Sequence, residues 1–196
     1  QQPQADCQGN WRVCSPTTVG GFSAAAYFFG RELHKQLNVP IGLIHSSWGG
    51  TPIETWISFK TQETTPELAG AIKRFNKAVE DYDPEAVAQQ YEKAVADWEK
   101  AKTEAKDDAE RAALNRRRPS KAQDPRYSQN SPGQLYNSMI VPLKPFAIRG
   151  AIWYQGESNA SWHTTAKLYG RQLRAMIAEW RALWGQGDFY FLSVQL

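Results

Sequence analysis

Thiols, imidazoles and thioethers are scarce in this chain: among 196 residues there are two Cys, three His and two Met. Cys7 and Cys14 could close a small disulfide loop in an oxidising compartment or remain as two thiols, and a pair alone does not decide between them. With no CxxC spacing and no His-rich cluster, nothing predicts a metal site or another cofactor. An excess of charge is missing too. The formal net charge is +3, too small for the dense basic face that a nucleic-acid partner requires. Long apolar runs are equally absent, and none approaches the ~20 residues needed to span a bilayer. The opening Gln1-Gln2-Pro3-Gln4 has no Met, basic stretch or apolar stretch, so it does not read as a signal peptide. A start without Met and a stop inside an apolar segment, Phe189 to Leu196, suggest a chain cut at both ends. Nothing in the sequence speaks to oligomeric state.

What is abundant is aromatic: eight each of Trp, Tyr and Phe, in a chain that is 41% hydrophobic and 22% charged. That is a globular balance of one-domain length, with most aromatics expected in a core and a few free to line a pocket. Apolar residues at Phe22, Ala26, Phe29, Leu33 and Leu37 have helical spacing, with Ser23 as N-cap. Ile41-Gly42-Leu43-Ile44-His45 reads as a short buried strand ending in the loop Ser46 to Thr51. Ile148 to Tyr154 reads as a second strand, followed by a polar loop from Gln155 to His163. An amphipathic helix carrying Leu168, Leu173, Met176, Ile177, Trp180, Leu183 and Trp184 comes next, stopped by Gly185 and Gly187. Phe189 to Val194 is the following strand. Strand, helix, strand with short links predicts a right-handed parallel crossover and an α/β fold.

Residues 64–118 follow a different rule. Leu68, Ile72, Phe75, Val79 and Tyr82 step by four and three, and Val87, Tyr91, Ala94, Trp98, Ala101 and Ala105 resume the pattern. Thr65-Pro66-Glu67 and Asp83-Pro84-Glu85 both read as N-cap, N1 proline and acidic first turn. The expectation is two helices folding back at residues 82–84 as an antiparallel hairpin. Arg116-Arg117-Arg118-Pro119 then ends a helix, and 119–133 is turn-rich and polar.

Two segments carry the chemistry. One is Gly42-Leu43-Ile44-His45-Ser46-Ser47-Trp48-Gly49-Gly50-Thr51-Pro52-Ile53-Glu54-Thr55-Trp56. The other joins Leu135-Tyr136-Asn137-Ser138-Met139-Ile140-Val141-Pro142-Leu143 to Gly150-Ala151-Ile152-Trp153-Tyr154-Gln155-Gly156-Glu157-Ser158-Asn159-Ala160. Together they closely resemble the sialate O-acetylesterase (SASA) family of SGNH-type hydrolases, and the resemblance covers the chain apart from the helical stretch. It implies a flavodoxin-like three-layer α/β/α fold with a parallel sheet. Residues 1–63 and 119–196 would form part of that hydrolase domain, and 64–118 an inserted helical hairpin. It also implies an esterase that removes acetyl groups from sialic acid or related sugars by serine hydrolysis, without cofactor, in a secreted or periplasmic protein.

Such enzymes take a Ser nucleophile from a first block and an Asp-oriented His from a last block. Neither is present here: no Gly-Gln-Ser-Asn-like block occurs, and His34, His45 and His163 have no Asp two or three positions before them. The middle blocks do match, with Gly49 or Gly50 as backbone donor to the oxyanion and Gln155 or Asn159 as amide donor. Glu157 would orient the nucleophile loop, bind substrate hydroxyls or anchor the backbone. Trp48 and Trp162, both in loops, are candidates to stack on a sugar ring, and His163 is a candidate substrate contact.

Two other readings compete. Gly156-Glu157-Ser158-Asn159-Ala160 approximates the nucleophile elbow of α/β-hydrolases, which would make Ser158 the nucleophile. The helix is expected only near Thr165, however, and the sole later histidine, His163, is too close in sequence to serve as that fold's base. Alternatively, the chain is a non-catalytic carbohydrate-binding module.

Overall fold

The computed structural model describes residues 2–161 and 163–195. Helix α1, Ala24–Leu37, is the predicted one, and the Ser23 hydroxyl accepts the Ala26 N–H as its N-cap. It ends at Asn38, whose left-handed backbone (φ 51°) suits the short polar side chain of Asn. A single 3-10 turn at Ile53–Trp56 leads into α2, Phe59–Thr64. Then follow α3 (Ala69–Glu80), α4 (Pro84–Glu104) and α5 (Asp108–Arg116). After 3-10 and π-helical turns between Pro125 and Leu143 come β1 (Gly150–Trp153), the one-turn α6 (Glu157–Ala160), α7 (His163–Trp184) and β2 (Tyr190–Ser193).

The parallel pairing of the two strands is as expected. β1 and β2 pair in parallel, with Gly150 opposite Tyr190 and Trp153 opposite Ser193. Gly150 is required here: a Cβ would lie 2.6 Å from the Tyr190 carbonyl oxygen. Among the described residues the sheet has these two strands only. The fold is α/β with a small parallel sheet and many helices.

The strand expected at Ile41–His45 is not formed. The segment carries no ladder hydrogen bonds among the described residues. An apolar run becomes a strand only when a neighbour supplies the donors and acceptors for its edges.

The core is aromatic. Trp153 stands edge-to-face on Trp56 and on Trp180, with ring centroids 5.8 Å apart in each case. Ile53, Ile57, Leu135, Tyr136, Ile140, Met176 and Phe189 complete the cluster. Each large side chain fully withdrawn from water contributes about 1.5–3 kcal/mol, and edge-to-face ring pairs add about 0.5–1.5 kcal/mol. The indole N–H groups are not wasted: Trp180 donates to the Trp56 carbonyl at 3.1 Å, and Trp153 to the Tyr169 hydroxyl at 2.9 Å.

Residues 64–118 are helical, but not as two helices. The Asp83 carboxylate caps α4 by accepting the N–H groups of Glu85 and Ala86, with Pro84 at the first helical position, as the sequence indicates. α3 begins at Ala69, four residues after the expected Thr65 cap. The seam read through Ala105 is cut at Glu104, because Asp107 caps a third helix by accepting the Glu110 N–H. α3 packs on α2 and on the Pro125–Tyr127 turn, burying Leu68, Ala71 and Ile72. α4 folds back against α5 instead, where the Trp98 indole donates to the Leu114 carbonyl at 2.8 Å.

Candidate active site

The two motif segments meet at the C-terminal end of β1, the end at which parallel α/β sheets present their sites. Strand β1 delivers Gln155, whose side-chain amide donates to the Thr51 carbonyl at 2.7 Å. The Gln155 side-chain oxygen accepts the Tyr169 hydroxyl at 2.8 Å. That hydroxyl also lies 2.6 Å from the Gln155 carbonyl oxygen, so α7 holds this residue by both backbone and side chain. Burial pushes the Tyr169 phenol upward from its ordinary pKa, against the lowering effect of the Trp153 N–H, with the nearby carboxylates Glu157 and Glu54 adding to the rise. Tyr169 therefore stays neutral and available as a donor.

Gly156 turns the chain with φ 148°, a conformation that side chains disfavour. The turn aims Asn159 inward. Its amide oxygen accepts the Ile53 N–H at 2.9 Å, and its amide nitrogen donates to the Glu54 carboxylate at 2.9 Å. The other oxygen of Glu54 accepts the Gln172 side-chain amide from α7 at 2.8 Å. Glu54 is 7% exposed, Asn159 2% and Gln172 1%. A carboxylate this deep persists only with such partners, since an unpaired buried charge is strongly disfavoured.

The structure thus brings Gln155 and Asn159 together with the 51–54 segment, each with part of its amide already engaged. Glu157 is exposed, and its carboxylate accepts the N–H of the preceding Gly156 at 3.0 Å. Gly49 and Gly50 form an exposed turn, Gly50 at φ 73°, with open space around both. Trp48 is 51% exposed at the same turn, and its carbonyl accepts the Thr51 hydroxyl at 2.8 Å. Ser158 is exposed on α6, and no His is among its hydrogen-bond partners in the described residues. His45 instead faces the Ser47 hydroxyl at 2.6 Å. Trp162 and the side chain of His163 lie outside the described residues.

Sequence reasoning gave no role to Glu54, Gln172 or Tyr169. Gln172 had a signal: it is a polar residue beside Leu173 on a helix whose inward face is otherwise apolar. Glu54 sat inside a quoted motif but had no visible partner.

A cleft of about 460 Å³ opens beside this knot, lined by Glu54, Ser158 and Asn159 on one side and by Arg74 and Phe75 of α3 on the other. Among the described residues, no group of three or more His, Cys, Asp or Glu could hold a metal ion. No helix there is long and apolar enough to cross a membrane.

Residues 121–196 match the family model "SASA: Carbohydrate esterase, sialic acid-specific acetylesterase". The sialate O-acetylesterase of Rattus norvegicus is 34% identical over 165 residues, covering 84% of this chain. The chain belongs to the SASA esterase family. The Mus musculus sialate O-acetylesterase is 31% identical over 174 residues and 86% of the chain. A solved structure of a carbohydrate acetylesterase from Xanthomonas citri superposes on the whole chain with a TM-score of 0.64 at 31% identity. The SASA chain described here spans 26% of the rat protein, 28% of the mouse protein and 31% of the Xanthomonas chain.

Proposed function

We propose that this chain is the central part of a carbohydrate O-acetylesterase, a serine hydrolase that removes acetyl esters from sialic acid or related sugars. The observation that carries the reading is the pair of ties, Gln155 to Thr51 and Asn159 to Ile53 and Glu54. They hold both family motifs at one strand end, the place where an oxyanion would be bound. Nucleophile and base would come from blocks outside these residues, on a flavodoxin-like three-layer SGNH scaffold. Residues 1–63 and 119–196 would belong to that scaffold and 64–118 would be inserted into it.

Within the site, Gln155 is the stronger amide donor to a developing oxyanion. It is half-buried, and one of its two N–H groups is used by Thr51. Asn159 is almost inaccessible, with its oxygen and one N–H committed to residues 53 and 54, which suits a supporting role. Gly49 and Gly50 would give backbone N–H groups, Glu157 would support the loop, and Trp48 would stack on the sugar. Secretion or periplasmic export accords with such a substrate. The test is hydrolysis of 9-O-acetyl-N-acetylneuraminate by the longer protein. Acetate release abolished by replacing the serine of its first block supports the reading, and binding without turnover favours a carbohydrate-binding module.

A further inference from the structure

The amide of Gln155 is held at both ends by groups whose hydrogen-bonding sense is fixed. The Thr51 carbonyl can only accept, so the end of the amide facing it at 2.7 Å is the nitrogen. The side-chain oxygen therefore faces the Tyr169 hydroxyl, at 2.8 Å. An indole N–H can only donate, so the Trp153 contact at 2.9 Å makes the phenol oxygen an acceptor and leaves its single proton for Gln155. That proton is shared between the Gln155 carbonyl, at 2.6 Å, and the side-chain oxygen. A matching arrangement stands on the other flank. The Trp56 indole donates to the Thr51 hydroxyl at 3.1 Å, which in turn donates to the Trp48 carbonyl at 2.8 Å across the Gly49-Gly50 turn. Trp56 and Trp153 are themselves in edge-to-face contact, so one packed ring cluster sets the direction of both hydroxyls.

We infer that Tyr169 is a positioning residue of the candidate active site, locking the Gln155 amide so that its second N–H keeps one fixed direction. One N–H of that amide is used by Thr51, and the other has no partner among the described residues. With its oxygen pinned by Tyr169, the amide cannot turn about its last side-chain bond without breaking contacts at both ends. A donor stabilises a developing charge best when it is aimed before the charge appears, and the neighbours that aim it decide how well it works. Tyr169 lies on α7, outside both motif segments, and Trp153 acts one step further back by keeping the phenol proton turned towards Gln155. The chemical consequence rests on the proposed oxyanion role of Gln155, whereas the locking is a property of this chain by itself.

The experiment begins with nuclear magnetic resonance of the wild-type 196-residue chain, the Gln155 side-chain resonances being assigned by their loss in Gln155→Ala. One amide proton should lie downfield, and the nitrogen should show a scalar coupling across the hydrogen bond to the Thr51 carbonyl carbon. In Tyr169→Phe, which keeps the ring, both signatures should be lost. No coupling in the wild type, or an unchanged shift and coupling in Tyr169→Phe, overturns the inference. In the longer protein, with hydrolysis of 9-O-acetyl-N-acetylneuraminate as the readout, Tyr169→Phe should lower kcat at least about tenfold with KM nearly unchanged. Combined with Gln155→Ala it should lower kcat no further, because a residue acting through Gln155 then has nothing left to position. An equal loss with and without Gln155 would show Tyr169 acting by another route and also overturns the inference. A longer protein without esterase activity would remove the proposed function instead, and the resonances of the chain would still decide whether the amide is locked.

Discussion

Asn159 and Glu54, 105 residues apart in sequence, meet side chain to side chain at 2.9 Å with both groups withdrawn from water. The same Asn159 accepts the Ile53 N–H. This contact fastens the loop after β1 to the turn before α2, and with it the relative placement of the two motif segments.

Asn159→Ala is therefore expected to cost stability rather than chemistry. It leaves the Ile53 N–H and one Glu54 oxygen without partners, a loss of about 2–4 kcal/mol. Urea denaturation should show a lowered midpoint at unchanged slope. An unchanged midpoint would refute the structural role.

Gln155→Ala in the longer enzyme should behave in the opposite way. Loss of an oxyanion donor lowers kcat by about 10²–10³ with KM nearly unchanged. Near-full kcat in a folded variant would remove Gln155 from the oxyanion site.

The 196-residue chain alone should not hydrolyse p-nitrophenyl acetate above a denatured control, because it carries no Gly-Gln-Ser-Asn-like block and no Asp-oriented His. Ser158 stands exposed without a histidine partner among the described residues. Turnover abolished by Ser158→Ala would restore the nucleophile-elbow reading.

Tyr136 provides a pH signature. Burial, assisted by the Glu179 carboxylate, pushes its phenol up to about 12 from the ordinary 10.0. With the folded value raised, the unfolded chain loses this proton first. Stability from Tyr136 is complete below about pH 10 and is lost progressively as pH rises towards 12. Thermal melts should fall over that window, and Tyr136→Phe should flatten the fall. A parallel decline in the variant would assign the effect elsewhere.

Two glycine substitutions should differ in sign. Gly133 has φ +76°, and a Cβ there would lie 2.8 Å from the Phe59 backbone nitrogen, so Gly133→Ala should destabilise by about 1–3 kcal/mol. Gly170 lies inside α7 with open space around it, and Gly170→Ala should stabilise by about 0.5–1 kcal/mol. Equal shifts in melting temperature would contradict this contrast.

The parts of the fold that could be read from sequence are those with local causes. Ser23 and Asp83 announce their helices because a cap needs only the next three residues. Strands β1 and β2 were legible as apolar runs flanking an amphipathic helix. The segment 41–45 has the same composition but no strand beside it, and a ladder partner leaves no mark on the run itself. The α4–α5 break was hidden because the apolar stepping runs on through Ala105, whereas the capping carboxylate of Asp107 decides where the helix stops. In the candidate site, Gln155 and Asn159 are singled out by their motif alone. Their partners could not: Thr51, Glu54 and Gln172 are joined to them only by the fold, and no spacing rule connects positions 54, 159 and 172.

Where the chain leaves the core and where it returns are also fastened together. The Thr55 hydroxyl donates to the Gln129 carbonyl at 2.7 Å and accepts the Leu135 N–H at 3.1 Å. Beyond this clasp, α4 and α5 bury none of their residues. Loop closure depends only logarithmically on length, with each doubling costing about 0.6 kcal/mol. Residues 84–118 can thus be shortened, extended or exchanged for another helical module at little thermodynamic expense, while α3, which buries Ala71 and Ile72, cannot. The clasp gives the molecule a port for remodelling its outer surface, and α3 marks the boundary at which such grafts must stop.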